Sequence, residues 1–192
     1  MKKQLIKDDR YRIEDGVLCI DVRVDSLKQL FDQRDPAPFL EKDLDDDFTQ
    51  FLLDNLREIP LNKPAKVIVI FSKDLAPGMD EETITQAIRG FYLYEVRSAN
   101  RSLELLFKQG RFSLVLGFFF LVSCIGLAQA LTTTGEWWLN ATIKETLTVA
   151  GWVAFWKPIN IFLYEWWPIV DRRKYFERLA VISVELRRFT AS

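Results

Sequence analysis

The sequence has no histidine and only two cysteines. Histidine is the commonest metal ligand in proteins and the usual proton shuttle near neutral pH, so its absence removes most metal-centred and acid–base chemistry. The sequence also lacks a Walker A motif, a G-x-S-x-G motif and a glycine-rich dinucleotide-binding run. We therefore expect a protein that is not an enzyme and that holds no metal or cofactor.

The two cysteines lie in different predicted elements. Cys19 falls in a predicted strand and Cys124 in a predicted membrane helix. We expect both to be reduced, small apolar residues in a compartment that is not oxidising.

Charged residues are absent from one long stretch, residues 112–135. The first 20 of these residues, FSLVLGFFFLVSCIGLAQAL, would span about 30 Å as a helix, which is the thickness of the hydrocarbon core of a bilayer. A chain of 192 residues could not surround so long a helix that is apolar on every side. The sequence therefore predicts a transmembrane helix over residues 112–131.

A second apolar stretch predicts a second span, for which two positions are open. Its charge-free part, residues 146–156, has 11 residues and is too short to cross a bilayer alone. In one interpretation the helix runs from about residue 140 to Lys157, which places Trp138 and Trp156 about 27 Å apart, at the two interfaces. In the other it runs from about residue 146 past residue 164, which places Lys157 inside the bilayer. We favour the first interpretation. Because the ends differ between the two interpretations, the second span is predicted at about residues 141–164.

The chain divides into three predicted parts. Residues 1–110 form a cytoplasmic α/β domain, residues 111–170 form a two-span transmembrane hairpin, and residues 171–192 form a basic helix and a C-terminal strand. The predicted fold class is an α+β membrane protein, in which a small two- to three-stranded α/β domain is attached to a transmembrane helical hairpin.

Apolar periodicity places the elements of the cytoplasmic domain. Alternating apolar residues predict strands at 17–24 and 181–189, and a wholly apolar run predicts a central strand at 66–71. Helices are predicted over 45–58 and from residue 80 onwards, whereas residues 1–15 are expected to be frayed. The C-terminal strand could pair with the other two, since a two-stranded sheet alone is marginal.

The distribution of charge predicts orientation and excludes one class of partner. Four basic residues closely precede the first span, one lies between the spans and four closely follow the second. The positive-inside rule therefore predicts that both termini are cytoplasmic. Residues 1–110 carry a net charge of −4, which argues against nucleic acid as a partner, because phosphate binding needs concentrated Lys and Arg.

An acidic segment is the candidate partner surface. It comprises Asp35, Phe39, Asp43, Asp45 and Asp47. The last three aspartates have the spacing of an EF-hand loop, but the required glycine is replaced by phenylalanine. Carboxylates at the start of a helix also stabilise its dipole, so we expect a helix cap with a solvated acidic face rather than a calcium site.

Three polar residues follow the second apolar stretch: Lys157, Asn160 and Glu165. On a regular helix, Lys157 and Glu165 would be about 80° apart, loosely on one side and not in contact. They either snorkel to the headgroups or, in an oligomer, line a polar path. Nearby, the cluster Arg172, Arg173 and Lys174 is expected to contact lipid headgroups.

Two segments carry a resemblance to a family. They are DQRDPAPFLEKDLDDD, after the first predicted strand, and WKPINIFLYEWWPIVDRRKYFERL, after the second apolar stretch. They resemble an uncharacterised group of bacterial two-span membrane proteins that pair an Asp-Pro-x-Pro-Phe segment with a Phe-Leu-Tyr-acidic-Trp-Trp-Pro segment. The resemblance covers residues 17–188 and implies a bacterial origin and a repeated architecture, but the group has no established activity to carry over.

Two functions from different classes fit these observations. The first is a non-enzymatic adaptor or regulatory subunit of the inner membrane, whose cytoplasmic domain binds a protein partner while the hairpin holds it at the lipid bilayer. The alternative is a small channel or transporter component formed by self-association, in which several hairpins arrange Lys157, Asn160 and Glu165 around a polar path.

Overall fold

The computed structural model describes residues 10–72, 80–131 and 137–189. The chain divides into two compact units. The sheet domain consists of Met1–Arg97 and Arg173–Ser192, and the hairpin consists of Ser98–Arg172. The hairpin is thus an insertion in the sequence of the sheet domain.

The sheet domain contains a four-stranded sheet. Its strands are β1 (Arg12–Glu14), β2 (Val17–Val24), β3 (Ala65–Phe71) and β4 (Ser183–Arg188), in the spatial order β1-β2-β3-β4. β1 is antiparallel to β2, whereas β2, β3 and β4 are parallel. The predicted pairing of the C-terminal strand is confirmed, and β3 is central as expected.

The prediction of two or three strands is wrong by one strand. β1 lies within the residues expected to be frayed, of which residues 1–9 lie outside the described part of the chain. A tight turn joins β1 to β2, and both of its central residues, Asp15 (φ 50°) and Gly16 (φ 79°), have positive φ. This backbone matches the twist of a two-residue hairpin, and Asp-Gly is one of the sequences that adopt it most readily.

Helices cover one face of the sheet. α1 (Asp46–Glu58), the first part of α2 (Glu81–Leu131) and the last part of α5 (Trp166–Val181) pack there. Leu18, Ile20, Val67 and Val69 form the floor of the core. Ile84, Ile88 and Tyr92 of α2 and Phe176 and Leu179 of α5 cover it.

Helix α1 begins where the sequence predicts, with Asp45 as its N-cap. The apolar spacing of α1 would place Phe51 on the buried face with Phe48 and Leu52, but Phe51 is 44% exposed, whereas Leu53 is 1% exposed. The buried face of α1 consists of Phe48, Thr49, Leu52, Leu53 and Leu56, and Phe51 lies outside it.

The other face of the sheet carries a network of ion pairs. Glu14 of β1 contacts Lys66 of β3 at 2.8 Å and Arg187 of β4 at 2.7 Å, and Glu185 of β4 contacts Lys66 at 2.7 Å. Cys19 and Ile68 on this face are 2% and 0% exposed. The central strand is therefore covered on both faces, as predicted, but charged side chains rather than a helix lie over the second face.

The hairpin contains the remainder of α2, together with α3 (Trp137–Val153), α4 (Trp156–Asn160), a π-helical segment (Ile161–Glu165) and the start of α5. Helices over Glu81–Ala130 and Ala141–Val181 are long and apolar enough to cross a membrane. The side chain of Trp138 lies outside the described residues. The predicted basic helix over residues 171–179 is part of α5.

Small residues bring the two arms of the hairpin into close antiparallel contact. A Cβ atom on Gly110 would lie 2.9 Å from Cγ2 of Ile161, and one on Gly117 would lie 3.1 Å from the carbonyl oxygen of Ala154. A step of seven residues along α2 is thus matched by a step of seven back along the other arm. Buried residues of α2 recur at this interval as well, at Leu103, Gly110, Gly117 and Cys124.

Two prolines account for the irregularity of the second arm. Pro158 has no N–H, and its ring clashes with the backbone carbonyl four residues earlier, that of Ala154. The helix is therefore interrupted at Ala154 and Phe155. Pro168 has the same effect on the carbonyl of Tyr164, which lies in the π-helical segment. A π-helical turn accommodates one extra residue and re-phases all side chains beyond it.

Candidate functional site

The acidic segment forms a loop that is closed at its base. The backbone N–H of Asp32 donates to the carbonyl of Asp43 at 2.9 Å, and the N–H of Asp45 donates to the carbonyl of Leu30 at 2.9 Å. Between these bonds, the Asp35 carboxylate accepts the N–H of Ala37 at 2.9 Å and that of Asp43 at 2.6 Å. These two bonds lower the pKa of Asp35. We define residues 32–43 as the acidic loop.

The ring of Phe39 holds the acidic loop to the domain. Its centroid lies 4.8 Å from that of Phe31, and the side chain packs partly buried against the core. Phe39 belongs to the predicted partner surface, but its ring is partly buried. Only the outer part of this ring remains available to a partner.

The three remaining candidate aspartates have different environments. Asp45 accepts the N–H groups of Asp47 and Phe48 at 3.0 and 3.1 Å and so caps α1, as expected. Asp47 is exposed in the first turn of α1. Asp43 lies in the acidic loop, beside Asp35. The structure therefore brings Asp35 and Asp43 together, whereas Asp45 and Asp47 belong to the start of α1.

A groove of about 500 Å³ lies between the acidic loop and α2. The loop contributes Asp35, Ala37, Leu40, Glu41 and Asp43, and α2 contributes Gly90, Phe91, Tyr94 and Arg97. The contributions of α2 recur at helical intervals on one face of the helix. Leu40 and Tyr94 are 54% and 53% exposed, so the groove presents apolar surface between charged rims. We call it the acidic groove.

The charges of the acidic groove are unbalanced. Three carboxylates line it against one guanidinium, that of Arg97. In the described part of the chain no cation forms an ion pair with Glu41 or Asp43. Burial raises the pKa of Asp43, and the charges of Asp35, Asp32 and Asp46 raise it further. A cationic group in the groove would relieve this repulsion. Among the described residues, no three acidic or cysteine side chains are grouped as metal ligands.

The structure also brings together the three polar residues of the second arm. Lys157 Nζ lies 3.0 Å from Glu165 Oε1, and Asn160 Nδ2 donates to the same oxygen at 2.6 Å. The expectation that Lys157 and Glu165 do not touch is therefore wrong. It assumed a regular helix, whereas the π-helical segment lies between the two residues. One extra residue in that turn makes a separation of eight equivalent to seven, or two full turns.

The basic cluster spans the boundary between the two units. Arg172 is the last residue of the hairpin, and Arg173 and Lys174 begin the second part of the sheet domain. Arg173 pairs with Glu177 one turn later, at 3.2 Å. Contact of these residues with lipid headgroups stays a prediction.

Sequence reasoning missed two features near these sites. The α2 side of the acidic groove, which includes Tyr94 and Arg97, has no local sequence signal because the loop that faces it is distant in the chain. The ion-pair network on the sheet depends on β1, whose Asp15–Gly16 turn could have been recognised as a hairpin signal.

No protein family, curated protein or solved structure matches this chain. The resemblance to bacterial two-span membrane proteins therefore stays a prediction.

Proposed function

We propose that this chain is a bacterial inner-membrane adaptor without enzymatic activity. The hairpin would anchor it in the bilayer, and the sheet domain would bind a cationic segment of a protein partner on the cytoplasmic side. The observation that carries the proposal is the acidic groove, in which three carboxylates and one guanidinium line a surface with the exposed side chains of Leu40 and Tyr94.

The surface of the hairpin supports the membrane anchor. Large apolar side chains are exposed along both arms, among them Phe112 (70%), Val149 (62%), Trp152 (60%) and Trp156 (73%). Soluble proteins rarely expose so continuous an apolar surface. In a bilayer, the same side chains would contact lipid, and their apolar surface would not be exposed to water.

The register of the hairpin supports the shorter of the two interpretations of the second span. Gly117 faces Ala154. Because the arms are antiparallel, three residues forward along the second arm correspond to three residues back along α2, which places Lys157 level with Leu114. In the other direction it places residue 140 level with residue 131. A first span over 112–131 would therefore lie beside residues 140–159. Lys157 would be about 5 Å from the level of Arg111 and near the headgroups.

The sheet supports a common side for the two ends of the hairpin. β3 precedes the hairpin in sequence, β4 follows it, and the two strands pair along six residues. The two ends of a membrane-inserted hairpin would therefore lie on the same side of the bilayer. The basic residues that flank both spans favour the cytoplasmic side.

The nature of the partner follows from the groove. Carboxylates attract Lys or Arg side chains, while Leu40 and Tyr94 can bury apolar side chains or the alkyl stems of those basic residues. An amphipathic segment with basic residues satisfies both surfaces. The expected affinity is sensitive to salt, because the groove is open to solvent.

The experiment is site-specific photo-crosslinking in native membranes of a bacterial host. A photoreactive residue at Tyr94 should give one discrete protein adduct, and one at Leu61, which is 58% exposed on the same domain, should not. The double variant Glu41→Gln, Asp43→Asn should abolish the adduct. Asp47→Asn, which removes a carboxylate outside the groove, should retain it.

The variants are chosen to spare the fold. Asp45 is unsuitable because loss of this cap would itself cost about 0.5–2 kcal/mol, and Asp35 is unsuitable because it closes the acidic loop. If Glu41→Gln, Asp43→Asn leaves the Tyr94 adduct unchanged while the protein remains inserted, the acidic groove is not the partner site.

A further inference from the structure

A second groove lies within the hairpin. Ser113, Leu116, Gly117 and Phe120 of α2 line it together with Ala154 and Lys157 of the other arm, and its volume is about 440 Å³. This is within the range of small-molecule sites, about 300–1,000 Å³. Its lining is apolar except for Ser113 and the ammonium group of Lys157. We call it the hairpin groove.

Lys157, which lines the hairpin groove, forms a polar cluster with Asn160 and Glu165. Lys157 and Asn160 both donate to Oε1 of Glu165. In the described part of the chain, Oε2 of Glu165 has no hydrogen-bond donor. Lys157 retains two further N–H groups and is 55% exposed. The cluster therefore offers a cation with spare donors next to an anion with a spare acceptor.

These features favour one class of ligand. The apolar groove fits an acyl chain, and a charge pair beside it fits a headgroup that also carries one charge of each sign. A phosphate would accept from Lys157 and Asn160, and an ammonium would donate to Oε2 of Glu165. A quaternary ammonium cannot donate a hydrogen bond, and a glycerol headgroup has no positive charge.

We propose that the hairpin groove binds one phospholipid with an aminoethyl phosphate headgroup, as in phosphatidylethanolamine. This inference rests on the membrane placement of the proposed function, because the register of the hairpin puts Lys157 near headgroup depth. It does not depend on the acidic groove or on any protein partner.

The π-helical segment makes the site possible. On a regular helix Glu165 would point about 80° away from Lys157, and no single headgroup would meet both side chains. The extra residue of the π turn aligns them. Glu165 then positions Lys157 and Asn160, because it accepts a hydrogen bond from each.

The test uses the full chain reconstituted in vesicles that contain a trace of phospholipid with a photoreactive acyl chain. Adducts are mapped by mass spectrometry. The phosphatidylethanolamine probe should label the segment from Ser113 to Phe120 at least fivefold more than the phosphatidylcholine or phosphatidylglycerol probe with the same chain. Labelling spread evenly along both arms, or equal for the three headgroups, would overturn the proposal.

Three variants separate the parts of the site. Glu165→Gln should remove the preference for the ethanolamine headgroup while it keeps an acceptor for Lys157. Ser113→Phe should fill the groove and reduce labelling by every probe. Lys144→Gln, a matched change at the other end of the second arm, should alter neither. A headgroup preference that survives Glu165→Gln would show that this carboxylate does not recognise the lipid.

Two controls complete the design. Soluble glycerophosphoethanolamine, which has no acyl chains, should not compete with the lipid probe; effective competition would overturn the role of the apolar groove. Resistance to alkaline extraction from membranes is measured on the same samples. Loss of labelling in an inserted protein contradicts only the lipid site, whereas a protein that is not inserted contradicts the membrane anchor as well.

Discussion

Glu14 and Arg187 form a two-pronged ion pair across the full width of the sheet. Nη1 and Nη2 of Arg187, on the edge strand β4, lie 2.8 and 2.7 Å from the two carboxylate oxygens of Glu14, on the opposite edge strand β1. The residues are 173 positions apart in the sequence. Paired guanidinium–carboxylate contacts of this kind are among the stronger polar interactions in proteins. They link the first and last strands of the domain.

The first prediction concerns acid stability. Arg187, and next Lys66, hold the pKa of Glu14 well below its ordinary value of 4.5, and Lys66 and Arg187 also lower the pKa of Glu185. A carboxylate with a lower pKa in the folded state stabilises the fold above its unfolded pKa, and this contribution is lost as the pH falls towards the folded value. The Tm of the purified chain in detergent should therefore decrease below about pH 4.5.

Glu14→Gln tests the source of that pH dependence. The variant should have a lower Tm than the wild type at neutral pH, because it removes the charge that Lys66 and Arg187 share. Its Tm should then fall less steeply on acidification. Identical pH profiles for the two proteins would mean that the ion pairs of Glu14 do not contribute to the pH dependence.

The second prediction concerns the packing of the hairpin. A Cβ on Gly151 would lie 2.6 Å from Cδ1 and 3.3 Å from Cα of Leu121, so Gly151→Ala should push the two arms apart. Overpacking of this kind costs about 1–3 kcal/mol. Gly126→Ala is the matched control, because nothing lies within 4 Å of the added atom, and it should be neutral or stabilise the helix by up to about 1 kcal/mol. Unfolding in mixed micelles, followed by circular dichroism, gives the difference.

The third prediction concerns the acidic loop. Asp35→Ala would leave the N–H groups of Ala37 and Asp43 without their acceptor. A lost hydrogen bond of this kind costs about 1–3 kcal/mol. Hydrogen exchange at Ala37 and Asp43 should accelerate at least tenfold, while exchange in β3 should not change. Unchanged exchange at both amides would show that the carboxylate does not hold the loop closed.

The fourth prediction separates the adaptor from the channel. The charges of Lys157 and Glu165 pair within one chain, so they do not require neighbouring copies to compensate them. Liposomes that contain the protein should therefore show no ion flux above the lipid background, and Lys157→Ala should not change this result. A flux that depends on Lys157 would favour the homo-oligomeric channel instead.

The elements with strong local periodicity could be predicted from the sequence. β2, β3, β4 and α1 all lie within two or three residues of their predicted bounds, because each carries an apolar pattern of period 2 or 3.6 or a continuous apolar run. β1 was missed because it has only three residues and most of its neighbours are charged. Its turn, Asp15–Gly16, was the better signal.

The candidate sites depended more on long-range geometry. Asp35 and Asp43 were both among the five predicted surface residues, but tertiary packing that no local pattern encodes brings Tyr94 and Arg97 to them. The contact between Lys157 and Glu165 depends on a single π-helical turn. The rule of 100° per residue fails at such a turn, and Pro168 was the only indication of it in the sequence.

The position of the hairpin between β3 and β4 has a consequence for biosynthesis. A ribosome completes β3 long before β4, so the nascent domain has an unpaired strand edge until both spans have been made. If the hairpin spans the membrane as proposed, a chain with only one arm inserted would hold β4 on the opposite side of the bilayer from β3. The edge of β3 that pairs with β4 therefore stays open until the last strand of the domain has been synthesised.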